Sequence, residues 1–202
     1  MKTTICFSLL LSFTVISCTN SGPNSQSHAD TSASSSTSAR PAPDVEAFVT
    51  KAITGGMLEV ELGKLAQDKA LNKRVKAFGK MMVTDHSKAG EELKALAAKK
   101  NISLPGSLTD EQTKEVNQLE EKSGVDFDKS YLKKMLADHR QDIKEFQDQA
   151  KKGTDDELKA FAAKMLDVLK THFDSARSVN KEVKATVDPG DITDGISTLP
   201  LR

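Results

Sequence analysis

Apolar side chains recur every three to four residues along most of this chain, and that period constrains the fold more than any other feature. It is the period of an amphipathic helix that buries one face. Aromatic residues are few, with no Trp, one Tyr and eight Phe, which is typical of packed helices rather than of sandwiches or barrels. The sequence therefore predicts an all-α protein with four long helices and one short one, at about 44–70, 73–99, 109–122, 126–152 and 155–185.

Short polar residues stand at the predicted helix starts and indicate where each helix is capped. We expect N-caps at Asp44, Asn72, Thr109 and Thr154. Thr109 is followed three residues later by Gln112, and Thr154 by Glu157, which is the spacing of a capping box.

The lengths of the connections predict the topology. A few residues join the first two long helices, and a few join the last two, so each pair forms an antiparallel hairpin. The connection between the pairs contains the short helix and can run the length of a 27-residue helix, about 40 Å. We therefore predict a ferritin-like four-helix bundle over 44–185, in which a long crossover joins two hairpins.

The N-terminus has the pattern of a secretion signal. Lys2 precedes an apolar stretch from Ile5 to Ile16 that is too short to span a bilayer well, and Ser17 and Cys18 follow. Residues 15–18 resemble the lipobox of bacterial lipoproteins. We predict a signal peptide at 1–17 and lipidation of Cys18; the alternative is an ordinary signal that leaves Cys18 as a free thiol.

Both ends of the predicted bundle carry polar segments. Residues 18–43 have too few apolar side chains to fold and predict a disordered tether, while 186–202 predict a flexible tail. The expected location is the cell envelope, with the lipid as the membrane contact. Thr19 and Asn20 lack the acidic residue that retains some lipoproteins in the inner membrane, which favours the outer membrane and a domain facing the periplasm.

Charge and motifs argue against two classes of function. Lys and Arg number 29 and so do Asp and Glu, so the broad basic field that binds nucleic acid is absent. No nucleophile-base-acid array, phosphate loop or reactive cysteine can be assembled from the sequence. We expect neither nucleic-acid binding nor enzymatic activity.

Three histidines lie within the apolar stripes of their predicted helices, at His86, His139 and His172. Glu59 lies on the inner face of the first helix. Glu59, His86 and His139 fall near the middle of the bundle, whereas His172 is displaced by about five residues, roughly 7 Å. We therefore expect His172 to reach the others only through a bridging group.

Imidazole and carboxylate groups from facing helices are how bundles build interior metal or ligand sites. Met82 and Met135 each precede a histidine by four residues, and such thioethers would suit a soft ion such as Cu(I). The alternative is that the methionines fill the core and the histidines pair with carboxylates for packing alone. The candidate partners are Glu59, Asp85, Asp138 and Asp142.

A di-iron site is disfavoured. Ferritin-type iron sites need Glu three residues before a ligating His on two helices. The residues at those positions here are Val83, Leu136 and Leu169.

The first helix carries a second apolar strip, formed by Leu58, Leu62 and Leu65. Such a strip must be covered. The crossover helix, through Val116 and Leu119, could cover it; the alternative is a partner, either a second copy of the chain or another envelope protein.

Several short motifs together resemble those of the domain of unknown function 4142 family. They are the segment 55–66, Val75 to Phe78, Asp85-His86, Gly124 to Tyr131, Asp138-His139 and Glu157 to Ala162. The resemblance covers about 44–183 and implies a bacterial envelope protein with a ferritin-like helical bundle. It implies no specific activity.

Overall fold

The computed structural model describes residues 41–187. The predicted signal peptide, Cys18 and most of the tether lie outside these residues, as does the predicted tail from 188 onward. The described part contains five helices and no strand: α1 (Pro43–Lys69), α2 (Lys73–Lys99), α3 (Asp110–Glu120), α4 (Gly124–Lys152) and α5 (Asp156–Val187). The all-α prediction is confirmed, and the predicted helix ends differ from the observed ones by no more than two residues.

Two of the four predicted N-caps are confirmed. The Asn72 side chain accepts a hydrogen bond from the Arg74 amide at 2.7 Å, and Thr109 forms the capping box with Gln112. The other two predictions are wrong.

Helix α1 begins one residue before Asp44, at Pro43, which suits a first helical position because its missing N–H would have no partner there. Helix α5 is capped by Asp155 instead of Thr154. The Asp155 carboxylate accepts from the amide of Leu158 at 3.0 Å, which is the standard reach of a cap to the third helical residue.

Helices α1 and α2 form an antiparallel hairpin whose closest approach is at two glycines. A methyl group added at Gly63 would lie 2.8 Å from the carbonyl oxygen of Gly79, and one added at Gly79 would lie 2.7 Å from that of Gly63. No residue with a Cβ fits at either position without a shift of the backbone. Close approach of the two helix backbones therefore requires glycine at this crossing.

Helices α4 and α5 form the second antiparallel hairpin, which packs on the first. The rings of Phe146 and Phe161 lie 6.2 Å apart across it. Between the hairpins, Phe48 of α1 lies 5.3 Å from Phe146 of α4, and Lys164 of α5 forms an ion pair with Glu92 of α2.

The connection from α2 to α4 runs from one end of the bundle to the other. Just past α2, the Lys100 ammonium is 2.6 Å from Asp155 at the start of α5. Near the start of α4, Asp128 instead accepts hydrogen bonds from the amides of Leu71 and Asn72 in the α1–α2 turn. The chain thus leaves α2 at one end and enters α4 at the opposite end.

Helix α3, inside that connection, covers the second apolar strip of α1. Leu58 and Leu62 are buried in one hydrophobic cluster with Leu119, and Leu65 and Val116 pack against it. No partner is needed to bury this strip. No helix in residues 41–187 combines the length and apolar character needed to cross a membrane.

Candidate metal centre

The four long helices each place one polar side chain in a layer between two hydrophobic clusters. These are Glu59 of α1, His86 of α2, His139 of α4 and His172 of α5, which are 3, 6, 0 and 1 % exposed. The cluster with Met82 and Met135 lies on one side, and the cluster with Leu93 and Phe146 lies on the other. All four principal candidates from the sequence therefore lie in one buried layer.

Glu59 fixes the ring of His86. Its Oε2 atom lies 3.0 Å from Nδ1 of His86. Its other oxygen, Oε1, lies 3.2 Å from Nδ1 of His139. That nitrogen hydrogen bonds to the carbonyl oxygen of Met135 at 3.0 Å, so Oε1 has no hydrogen bond within the described residues.

The ring of His139 also meets the ring of His172. Nε2 of His139 lies 3.2 Å from Nδ1 of His172. On its far side, Nε2 of His172 lies 2.9 Å from Oδ2 of Asp85, a partly exposed carboxylate on α2. Asp85 is thus the partner of His172 and not of its sequence neighbour His86.

Each histidine has an outward ring nitrogen beside an oxygen atom that can accept a hydrogen bond, while the inward nitrogens of His139 and His172 lie within hydrogen-bond distance of each other. The acceptors are Glu59 for His86, the Met135 carbonyl for His139 and Asp85 for His172. A neutral imidazole that donates from one nitrogen presents a lone pair at the other. One ring nitrogen from each histidine lies within 4.8 Å of the others, and Nε2 of His86 is buried without a partner in the described chain.

The expectation that His172 would need a bridging group is wrong. His139 lies 13 residues before the end of α4 at Lys152, and His172 lies 16 residues after the start of α5 at Asp156. The offset is therefore three residues, about 4.5 Å. Side chains lean toward the N-terminus of their own helix, and in this hairpin that tilts the two rings toward each other.

Burial keeps the three histidines neutral. It lowers the pKa of His86 well below its usual value, and the neighbouring His139 and His172 lower it further. Burial and His172 lower the pKa of His139 to about 3. The pKa of His172 is also lowered by burial, although Asp85 opposes the shift. Neutral imidazole is the form that binds metal ions.

The carboxyl groups near the layer are shifted the other way. Burial raises the pKa of Glu59 well above its usual value, and Asp142 and Asp138 raise it further. Burial, Asp138 and Glu145 raise the pKa of Asp142 to about 7. A positive charge placed in this region would relieve the repulsion among these groups.

The other candidates from the sequence are Met82, Met135, Asp85 and Asp138. Met82 and Met135 are fully buried in the hydrophobic cluster on one side of the layer. Asp138 pairs with Lys134 at 3.2 Å rather than with a histidine.

Sequence reasoning gave no role to Tyr131, whose buried hydroxyl group has no hydrogen-bond partner in residues 41–187. Its pKa is raised by burial and by Glu59. Nor did the sequence indicate a role for Asp128, whose side chain is buried, with 1 % exposed. Both lie in the 124–131 segment that carried part of the family resemblance.

Fold and site together define an all-helical bundle with a histidine layer in its interior. The sequence matches the family described as Domain of unknown function (DUF4142) over residues 30–179. The chain belongs to this family, as its motifs indicated. No curated protein matches the sequence.

Among solved structures, the chain is similar to a DUF305 fragment from Deinococcus radiodurans, determined by crystallography. The TM-score is 0.63 at 10 % identity, and the match covers 71 % of this chain and 99 % of the fragment. At this identity the similarity concerns the fold alone.

Proposed function

We propose that this protein binds a transition-metal ion through His86, His139 and His172. The observation that carries the proposal is that each outward ring nitrogen lies beside an oxygen acceptor, so that three neutral rings donating outward would present three inward lone pairs in one buried layer. Metal-ligating histidines characteristically donate their other N–H to a carboxylate or a carbonyl, which fixes the tautomer.

The spacing of the nitrogens supports a tetrahedral ion. Two ligands at Zn–N distances of 2.0–2.1 Å around a tetrahedral centre lie about 3.4 Å apart. The inward nitrogens of His139 and His172 are 3.2 Å apart. Small movements of His86 would complete a three-histidine site, with a fourth position left for water or another ligand.

The ligand chemistry selects the class of ion. Imidazole suits Zn²⁺, Cu and Ni, whereas Mg²⁺ and Ca²⁺ prefer oxygen. Asp85 supplies negative charge behind His172, and a bound cation would favour the ionised form of Glu59 behind His86, which together suit a divalent ion. A ferritin-type di-iron centre is not proposed, since Val83, Leu136 and Leu169 stand where its carboxylates would be needed. A binding role is therefore proposed rather than catalysis.

Metal retention by the purified protein tests the proposal. After stripping with a chelator, the protein is loaded in turn with Zn²⁺, Cu²⁺, Cu⁺ and Co²⁺, dialysed and analysed for metal. We expect about one equivalent to be retained, and a tetrahedral Co²⁺ spectrum in the visible region. His86→Ala, His139→Ala and His172→Ala should each abolish retention.

His28→Ala is the matched control, because it removes the remaining histidine of the chain and leaves the three proposed ligands in place. It should retain metal like the wild type. The competing proposal is an envelope protein with a structural or interaction role, in which the histidines serve only packing. Retention of no metal, or equal retention in all four variants, would establish that alternative.

We further propose that the protein is a lipoprotein of the cell envelope, anchored through Cys18 in the outer membrane and facing the periplasm. The lipobox-like sequence before Cys18 supports this. Labelled palmitate should be incorporated into the wild type and into Cys6→Ser, but not into Cys18→Ser, and separation of the two membranes should place the labelled protein in the outer one. Label in Cys18→Ser would refute the anchor.

We also infer that the bundle is of the ferritin-like type. Its two antiparallel hairpins and the end-to-end connection between them support this inference.

A further inference from the structure

A cavity of about 560 Å³ lies beside the histidine layer. Residues from all five helices reach its wall, and most of the wall is apolar. The aromatic and aliphatic residues of the wall include Phe48, Ile53, Phe146, Phe161, Met165 and Leu169. The volume is within the range of sites for small organic molecules, about 300–1,000 Å³.

The polar side chains of the wall include Glu59, His86 and Asp142. Oε1 of Glu59 and Nε2 of His86 are buried and have no hydrogen-bond partner in the described part of the chain. Unpartnered polar atoms in an apolar cavity are costly and indicate a ligand that supplies the missing contact.

The wall has more acidic than basic side chains. Its lysines are already used, since Lys51 pairs with Glu145 and Lys94 with Glu91. Asp142 forms no hydrogen bond or ion pair of its own among residues 41–187. Its carboxyl group faces the repulsion of Asp138 and Glu145, which Lys51 and Lys134 oppose only in part and which a bound cation would offset further.

We propose that this cavity binds a hydrophobic organic amine. The ammonium group lies against Asp142 and Glu59, and the apolar body packs among Phe48, Phe146 and Phe161. Carboxylates give the ammonium charge-assisted hydrogen bonds, and aromatic rings attract a cation at their faces. An organic anion would meet uncompensated carboxylates, and a neutral apolar molecule would leave them unpaired.

Three probes of one shape test the proposal: 3-phenylpropylamine, 3-phenylpropanol and 3-phenylpropionate. Binding to the chelator-treated protein is measured by titration calorimetry. We expect the amine to bind at least about tenfold more tightly than the alcohol, and the acid to bind least. Equal binding of amine and alcohol, tighter binding of the acid, or no binding of any probe would overturn the proposal.

Two variants of α4 locate the ammonium group. Asp142→Asn should reduce the preference for the amine over the alcohol to about twofold or less, whereas Asp148→Asn, at an exposed site paired with Lys152, should leave it unchanged. A full preference in Asp142→Asn would refute the assignment. Because no metal is present in these measurements, their failure leaves the metal proposal untouched, and failure of metal retention leaves this one untouched.

Discussion

Nε2 of His139 lies 3.2 Å from Nδ1 of His172, and the outward nitrogens of both rings already face acceptors. If each ring is neutral and donates outward, two lone pairs face each other across this gap. In the metal-free protein, a hydrogen bond between them requires one neutral ring to carry its proton on the inward nitrogen instead of the outward one, whereas a bound cation would use both lone pairs. Metal binding at this contact therefore selects the tautomers in which both rings donate outward.

Metal should stabilise the fold through these rings. At a Zn²⁺ concentration of 100 times the dissociation constant, we expect the free energy of unfolding to rise by about 2.7 kcal/mol. Thermal unfolding with and without metal measures the effect. His172→Ala should show no rise and His28→Ala the full one; an equal rise in both would mean that metal binds elsewhere.

Glu59→Gln should weaken metal binding without removing a ligand. The change replaces the carboxyl group beside Nδ1 of His86 by an amide that cannot ionise when metal binds, and loss of such a supporting group typically costs about 10–100-fold in affinity. Competition with a chromophoric chelator gives the affinity. Glu61→Gln, whose carboxylate pairs with Lys64 on the surface of α1, is the control and should bind like the wild type. Identical affinities in the two variants would contradict the role of Glu59.

Two glycines of α1 should respond to alanine with opposite signs. In Gly63→Ala the new methyl group meets the Gly79 carbonyl, so we expect a loss of about 1–3 kcal/mol from overpacking. In Gly55→Ala it meets no atom within 4 Å, and the better helix propensity should add about 0.5–1 kcal/mol. Urea unfolding of both variants measures the change in the free energy of unfolding. A Gly63→Ala variant more stable than the wild type would refute the close approach of the two helices.

Asp128→Ala should destabilise the bundle by about 2–4 kcal/mol, because two part-buried amide donors of the α1–α2 turn lose their shared acceptor. The Asp128 carboxylate accepts from Leu71 and Asn72 at 3.0 and 2.8 Å. Asp126→Ala, at an exposed site in the first turn of α4, is the control and should cost less than about 1 kcal/mol. Equal losses in urea unfolding would show that the contact with the turn contributes little.

Asp142→Asn should change how stability depends on pH. The carboxyl has a pKa of about 7 in the folded protein against 3.8 as its usual value, so the unfolded state loses its proton first as the pH rises. The wild type therefore loses stability between about pH 4 and 7 through this group, and Asp142→Asn avoids that loss.

At pH 8 the variant should be more stable than the wild type, on the order of a few kcal/mol, and the difference should vanish near pH 4. Denaturant unfolding across this range, with Asp148→Asn as the exposed control, measures it. A constant difference at all pH values would contradict the raised pKa of Asp142.

Local patterns were enough to predict the helices and the inward faces. The helical period is a property of neighbouring residues, so His86, His139 and His172 could be assigned to buried stripes before any tertiary contact was known. Connection length likewise predicted which helices pair. The predicted cap at Asp44 failed because Pro43 suits the first helical position and starts the helix earlier. The predicted cap at Thr154 failed because the adjacent Asp155 is an equally good capping residue.

Contacts between helices far apart in the chain could not be obtained this way. The helical period says which face a residue occupies, but the axial position of one helix against another depends on packing, as at Gly63 and Gly79. For this reason His172 was placed too far from its neighbours, and Asp85 could not be assigned to it.

The sequence by itself thus determined an all-helical chain with four long amphipathic helices, three inward histidines and membership of its family, because these follow from composition, period and motif. Only the tertiary structure decided that the rings meet, that each outward nitrogen has an acceptor, that Asp128 holds the α1–α2 turn, and that a cavity lies beside the layer. Those features depend on the register and separation of packed helices, and no interaction between near neighbours in the chain fixes either quantity.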